Sequence, residues 1–164
     1  MKKQKISAKT VALLAMMIAL ALVFSYVETL IPINFGIPGV KLGLANLVIV
    51  AALYLIGGKE AFLVSVVRIF LSGFMFGNLF SILYSLAGAA LSLTVMELLK
   101  KHSGFSLIGI SVAGGVTHNI GQLIVAMIVV SNTSLMVYAP ALLVAGVLAG
   151  IIIGWLTKEV VRRL

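Results

Sequence analysis

Apolar residues run along this chain in long blocks broken by short polar or glycine-proline punctuation. The blocks fall at about 10–30, 42–56, 60–76, 79–99, 106–130 and 139–156. Several approach or exceed the roughly 20 residues that a helix needs to cross a bilayer, while the second and third are near the lower limit. None alternates apolar with polar positions, so the strands of a membrane barrel are excluded. The pattern predicts an all-α integral membrane protein with six transmembrane helices, in which residues 1–164 form a single membrane domain.

Composition sharpens this reading. Of 164 residues, 62% are hydrophobic and 10% charged, and mean hydropathy is +1.26. A soluble domain of this size carries far more polar surface. Lys2, Lys3 and Lys5 ahead of the first run resemble the start of a signal peptide. More spans follow and no small-residue cleavage site stands out, so the run is expected to be retained. With the N-terminus inside, ten of the 12 basic residues fall in inner segments, only Lys41 falls outside, and Arg68 lies within a span. The positive-inside rule then puts both termini in the cytoplasm. The net charge of +8 is thus an orientation signal and an attraction to anionic lipid. It does not point to nucleic acid, because the basic residues are scattered among short loops.

Some chemistry is excluded outright. The chain has no cysteine, and its four acidic residues are Glu28, Glu60, Glu97 and Glu159, so aspartate is absent. Disulfides, thiolate metal sites and aspartate-rich magnesium-diphosphate sites are therefore ruled out. No G-x-x-x-x-G-K-[ST] loop is present to bind ATP. No metal site or required cofactor is expected, since His102 is the only partner for His118 and lies on the inner side.

The remaining polar residues converge. At about 1.5 Å per residue, Glu28, Asn46, Asn78, Tyr84, His118, Asn119 and Gln122 fall in the outer half of the membrane, with Arg68 near its midplane. An intramembrane charge costs about 2.5–3.5 kcal/mol on insertion scales and faces a cavity or a partner. Arg68 either pairs with Glu28 or with helix-end carbonyls, or anchors an anionic or carbonyl-bearing ligand. In "GVTHNIGQLIVAMIVV", His118 and Gln122 share a helix face, while Asn119 points about 100° away. The first two are expected to line a cavity and Asn119 to contact a neighbouring helix. The stretch "PINFGIPGVKLG" (32–43) is the longest outer connection. It reads as a connecting loop or as a lid in which Phe35 and Lys41 close on a ligand. Small residues mark close helix approaches: Gly73 and Gly77, Gly146, Gly150 and Gly154, and the alanine stripe Ala8, Ala12, Ala15 and Ala19. That last stripe either packs internally or accepts a second membrane protein.

Six short-looped helices, an alanine stripe on the first, a loop over a polar layer and no ATPase motif resemble the substrate-binding (S) components of energy-coupling factor transporters. The segments "PGVKLGLANLVIVAALYLIGGKEAFLVSVVRIFLSGFMFG", "FSILYSLAGAALSLTVMELLKK" and "FSLIGISVAGGVTHNIGQLIVA" look like the Gx transporter family, also labelled heptaprenyl diphosphate synthase component I. The resemblance implies a multi-pass bacterial inner-membrane protein. It would capture a small vitamin-like, anionic or aromatic molecule from outside and associate with a transmembrane coupling subunit and two ATPase subunits. Substrate contacts would come from Arg68, His118, Gln122, Asn46, Tyr84, Glu28, Lys41, Asn78 and Asn119, and partner contacts from Ala8, Ala12, Ala15 and Ala19. The resemblance also implies two alternatives: a membrane component of quinone- or flavin-linked extracellular electron transfer, with flavin or quinone as ligand, and a nonenzymatic membrane partner of a heptaprenyl diphosphate synthase. Prenyl synthase activity of the chain itself is not expected without aspartate.

Overall fold

The computed structural model describes residues 8–31, 43–102 and 104–163. Six α-helices follow one another: α1 (Ala8–Leu30), α2 (Leu44–Leu55), α3 (Gly58–Phe76), α4 (Leu79–Lys101), α5 (Leu107–Val130) and α6 (Ala139–Arg163). A 3-10 turn, Thr133–Tyr138, leads into α6. No strand occurs among the described residues.

Four segments are long and apolar enough to cross a membrane: α1, α4, α5, and α6 with its leading turn. The other two differ for separate reasons. Helix α2 has 12 residues, about 18 Å at 1.5 Å each, against a hydrocarbon core of about 30 Å. Helix α3 has 19 residues but carries Lys59, Glu60 and Arg68.

Local sequence sets the breaks. Gly57, with φ +122°, makes the short turn between α2 and α3, a conformation that side chains disfavour. Asn78 opens α4 through a capping box: its side chain accepts from the Ser81 N–H at 2.9 Å, and the Ser81 hydroxyl accepts from the Asn78 N–H at 3.0 Å. Ser106 caps α5 with its side chain alone, accepting from the Gly109 N–H at 3.1 Å.

The helices close into a ring in the order α1, α3, α4, α5, α6, α2, with α2 also touching α3. Short α2 is the most enclosed, with Ala45 and every residue from Val48 to Leu53 buried. Its lower end is held by α4. The Lys100 ammonium donates to the Leu53 carbonyl at 2.6 Å and lies 4.8 Å from the centroid of the Tyr54 ring. The Glu97 carboxylate lies hard against Gly58, the first residue of α3, where an added Cβ would collide with it. A cation thus meets a helix C-terminus and an anion a helix N-terminus, each matching the helix dipole.

Glycines bring α5 and α6 together. A Cβ on Gly146, Gly150 or Gly154 would lie 3.0, 2.5 or 2.9 Å from the Cα of Val116, Val112 or Ile108 respectively. The three contacts step four residues at a time in opposite directions, so the helices run antiparallel with backbones touching. By contrast, Ala8, Ala12, Ala15 and Ala19 are all exposed on α1, whose buried face is Met17, Ala21 and Ser25. Large apolar side chains cover the outside of the ring, among them Phe74 at 76% exposure and Trp155 at 62%. Such a surface suits lipid.

Candidate functional site

A cavity of ≈ 90 Å³ lies inside the ring, at the end where α1 and α3 finish and α2 and α4 begin. All six helices contribute to its wall: Ser25, Glu28 and Thr29 from α1, Asn46 from α2, Arg68 and Ser72 from α3, Ser81 and Ser85 from α4, His118, Asn119 and Gln122 from α5, and Gly146 from α6. Tyr26 and Phe76, with ring centroids 5.2 Å apart, join the ends of α1 and α3 beside it.

Arg68 is the cation of this wall. Its Nη2 donates to the Asn46 Oδ1 at 3.4 Å, while its Nε is buried without a hydrogen-bond partner. Glu28 is close enough for Coulomb attraction, but it makes no direct ion pair with Arg68 among the described residues. Its carboxylate instead accepts from the backbone N–H of Gly43, whose left-handed conformation (φ +75°) precedes α2. The carboxylate thereby ties α1 to the start of α2. Arg68 is left with donor capacity beside a cavity.

The α5 residues divide their work. Asn119 Nδ2 donates to the Leu142 carbonyl of α6 at 2.7 Å, so this amide touches both the cavity and the neighbouring helix. His118 packs against α4, where Gly88 makes room for it: a Cβ there would lie 2.9 Å from the imidazole Cε1 and Nδ1. Gln122 lies one turn further along the same face.

Arg68, Asn46, Glu28, His118, Asn119 and Gln122 are therefore brought together, and two other sequence candidates are not. Asn78 is exposed and spends its side chain capping α4. Tyr84 does not line the cavity, because Ser81, Ser85 and Gly88 form the inward face of α4 and Tyr84 is turned about 100° from Ser85. Lys41 and the 32–42 segment lie outside the described residues. The hydroxyls of Ser25, Thr29, Ser72, Ser81 and Ser85 were not anticipated. Four of them donate to nearby backbone carbonyls, Ser25 to Ala21 at 2.9 Å, Thr29 to Tyr26 at 2.6 Å, Ser72 to Ile69 at 3.3 Å and Ser81 to Asn78 at 2.7 Å. A hydroxyl satisfied in this way costs little in an apolar helix and leaves no contrast to read. Among the described residues no group of three or more His, Cys, Asp or Glu side chains is placed to hold a metal ion.

An all-helical bundle with a lipid-suited exterior and a polar interior cavity is a membrane protein. The family model described as heptaprenyl diphosphate synthase component I matches residues 17–160, and the chain belongs to that family. No curated protein and no solved structure matches it.

Proposed function

We propose that the chain is a ligand-capture subunit of the membrane, similar to the S components of energy-coupling factor transporters, which takes a small anionic molecule from outside into the Arg68 cavity. The observation that carries this reading is Arg68 itself: a permanent cation, with Nε buried and unbonded, set beside a cavity to which all six helices contribute. Such a group is satisfied by an acceptor-rich ligand, and its planar fork suits a carboxylate or phosphate.

In this reading all six helices cross or enter the bilayer, with both termini cytoplasmic. The short α2 is sheltered by its neighbours and does not face lipid over a full span. Supporting this, Lys9, Lys59, Lys100, Lys101, Lys158, Arg162 and Arg163 occupy helix ends remote from the cavity. The exposed alanine stripe of α1 supports a partner role: it presents a smooth, small-residue face on which a coupling subunit with its two ATPases could dock. With no ATP-binding loop of its own, the chain would depend on that partner for energy.

The family description favours a second reading, a nonenzymatic membrane partner of a heptaprenyl diphosphate synthase. Native mass spectrometry of the protein taken from its own membrane separates the two. Capture predicts a bound small molecule, lost from Arg68→Ala and reduced in Arg68→Lys, with the fold intact because removing the charge eases insertion. If Arg68→Ala and His118→Ala retain it as the parent chain does, the capture reading fails. Copurification of a soluble prenyl synthase with no small molecule supports the second reading instead.

A further inference from the structure

Beneath the Arg68 cavity lies a second chamber of ≈ 30 Å³, deeper in the ring and sharing Asn46 and His118 with the first. Its polar wall is Ser65 of α3, Ser92 of α4 and Ser111 of α5, all buried at 1%, 6% and 3% exposure. These hydroxyls differ from others in the bundle. Ser25, Thr94 and Thr117 each donate to the carbonyl four residues earlier, at 2.9, 2.7 and 2.7 Å. Ser65, Ser92 and Ser111 make no hydrogen bond among the described residues, and three helices bring them to one small space. Hydroxyls that line a cavity without a partner in their own helices are satisfied by a polar occupant of that cavity.

The occupant's chemistry follows from the wall. By the same measure the chamber is about a third the size of the outer cavity and roomy enough for at least one water-sized group. The hydroxyls and the Asn46 amide can each donate or accept, so the wall suits a neutral group that does both. No carboxylate lines the chamber, and Arg68 stands above it, which disfavours a cation. No charged donor lines it either, so an anion gains more beside Arg68.

We propose that this chamber is a second subsite of the same ligand site, taking a compact neutral hydrogen-bonding group such as a hydroxyl, carbonyl or amide in place of water. The proposal rests on the capture reading and narrows its ligand class to molecules with an anionic group for Arg68 and a small neutral polar group about one helix turn deeper.

The absence of cysteine makes a direct test available. Ser65→Cys, Ser92→Cys and Ser111→Cys place near-isosteric reporters in the chamber, Ser85→Cys places one in the outer cavity, and Ala52→Cys is a control buried away from both. The full chain in lipid nanodiscs is treated with neutral methyl methanethiosulfonate or its anionic sulfonatoethyl counterpart. The cysteine thiolate attacks the reagent's thio sulfur, a disulfide forms and methanesulfinate leaves. Intact mass follows the reaction.

The neutral reagent should modify at least two of the three chamber cysteines about tenfold faster than Ala52→Cys, and the anionic one should modify Ser85→Cys but not the chamber. Arg68→Ala should slow the anionic reagent at Ser85→Cys by about tenfold while leaving neutral labelling of the chamber unchanged. Chamber cysteines that react no faster than the control, or that take the anionic reagent as readily as the neutral one, overturn the subsite even if Ser85→Cys behaves as expected. If the chamber labels as expected but Arg68→Ala has no effect at Ser85→Cys, the chamber's neutral character stands and the anion reading of the outer cavity fails.

Discussion

Arg68 and Asn119 are both polar residues among apolar neighbours, and the structure gives them different tasks. Asn119 completes a hydrogen bond to the Leu142 carbonyl, whereas Arg68 keeps a buried donor uncommitted. Truncating Asn119 to Ala should therefore cost stability. The expected loss is about 0.6 kcal/mol, the average for intramembrane hydrogen bonds, with about 1.7 as the upper end. Unfolding in mixed micelles measures it, and a change below the error of that measurement would show that the contact contributes nothing. The sequence makes such residues visible by type and depth but not by direction. His118, Asn119 and Gln122 could be placed because their relative angles on one helix are fixed by its geometry. Tyr84 could not, since the inward face of α4 is marked only by serines and a glycine, which carry little polarity contrast. Asn78 reads as a ligand contact in the sequence, but the structure spends it on a cap: an asparagine just ahead of an apolar run can serve the helix N-terminus, and that use competes with a ligand role.

Among the elements, α5 and α6 were the easiest to anticipate, because Gly146, Gly150 and Gly154 announce a close approach and the structure shows the backbones touching there. The end of α6 was less legible. Apolar character fades near Leu156, but the helix runs on to Arg163, sustained by Glu159, which binds Arg162 and Arg163 at 2.8 Å across one turn. The hold of α4 on α2 and α3 left no local signal at all, since Leu53 and Lys100 are 47 residues apart. Replacing Lys100 with Met keeps most of the stem and removes the charge. It should leave the Leu53 carbonyl without its cation and cost about 1–2 kcal/mol. Chemical unfolding of the purified protein is the check, and an unchanged midpoint would show that the ammonium is not what holds the end of α2.

Taken as a whole molecule, the ring is apolar outside and encloses a polar cavity, and its described basic residues other than Arg68 lie at helix ends away from that cavity. The six-helix reading with cytoplasmic termini makes a definite prediction for intact cells. Cysteine placed at Asn78 should react with an impermeant reagent added outside, while cysteine at Lys59 or Lys101 should react only after the membrane is opened. Labelling in the reverse pattern would overturn this orientation. The all-helical class was legible from run length alone, because a bilayer leaves few other solutions. The ring order was not, because it depends on contacts between distant helices. The Lys100–Leu53 bond also orders events in time. Synthesis delivers α2 and α3 before the residues that hold them, so the Lys100–Leu53 bond can form only once the end of α4 has been made. The room around Arg68, walled by all six helices, is complete only when the last of them has been added, so the site is the final product of synthesis.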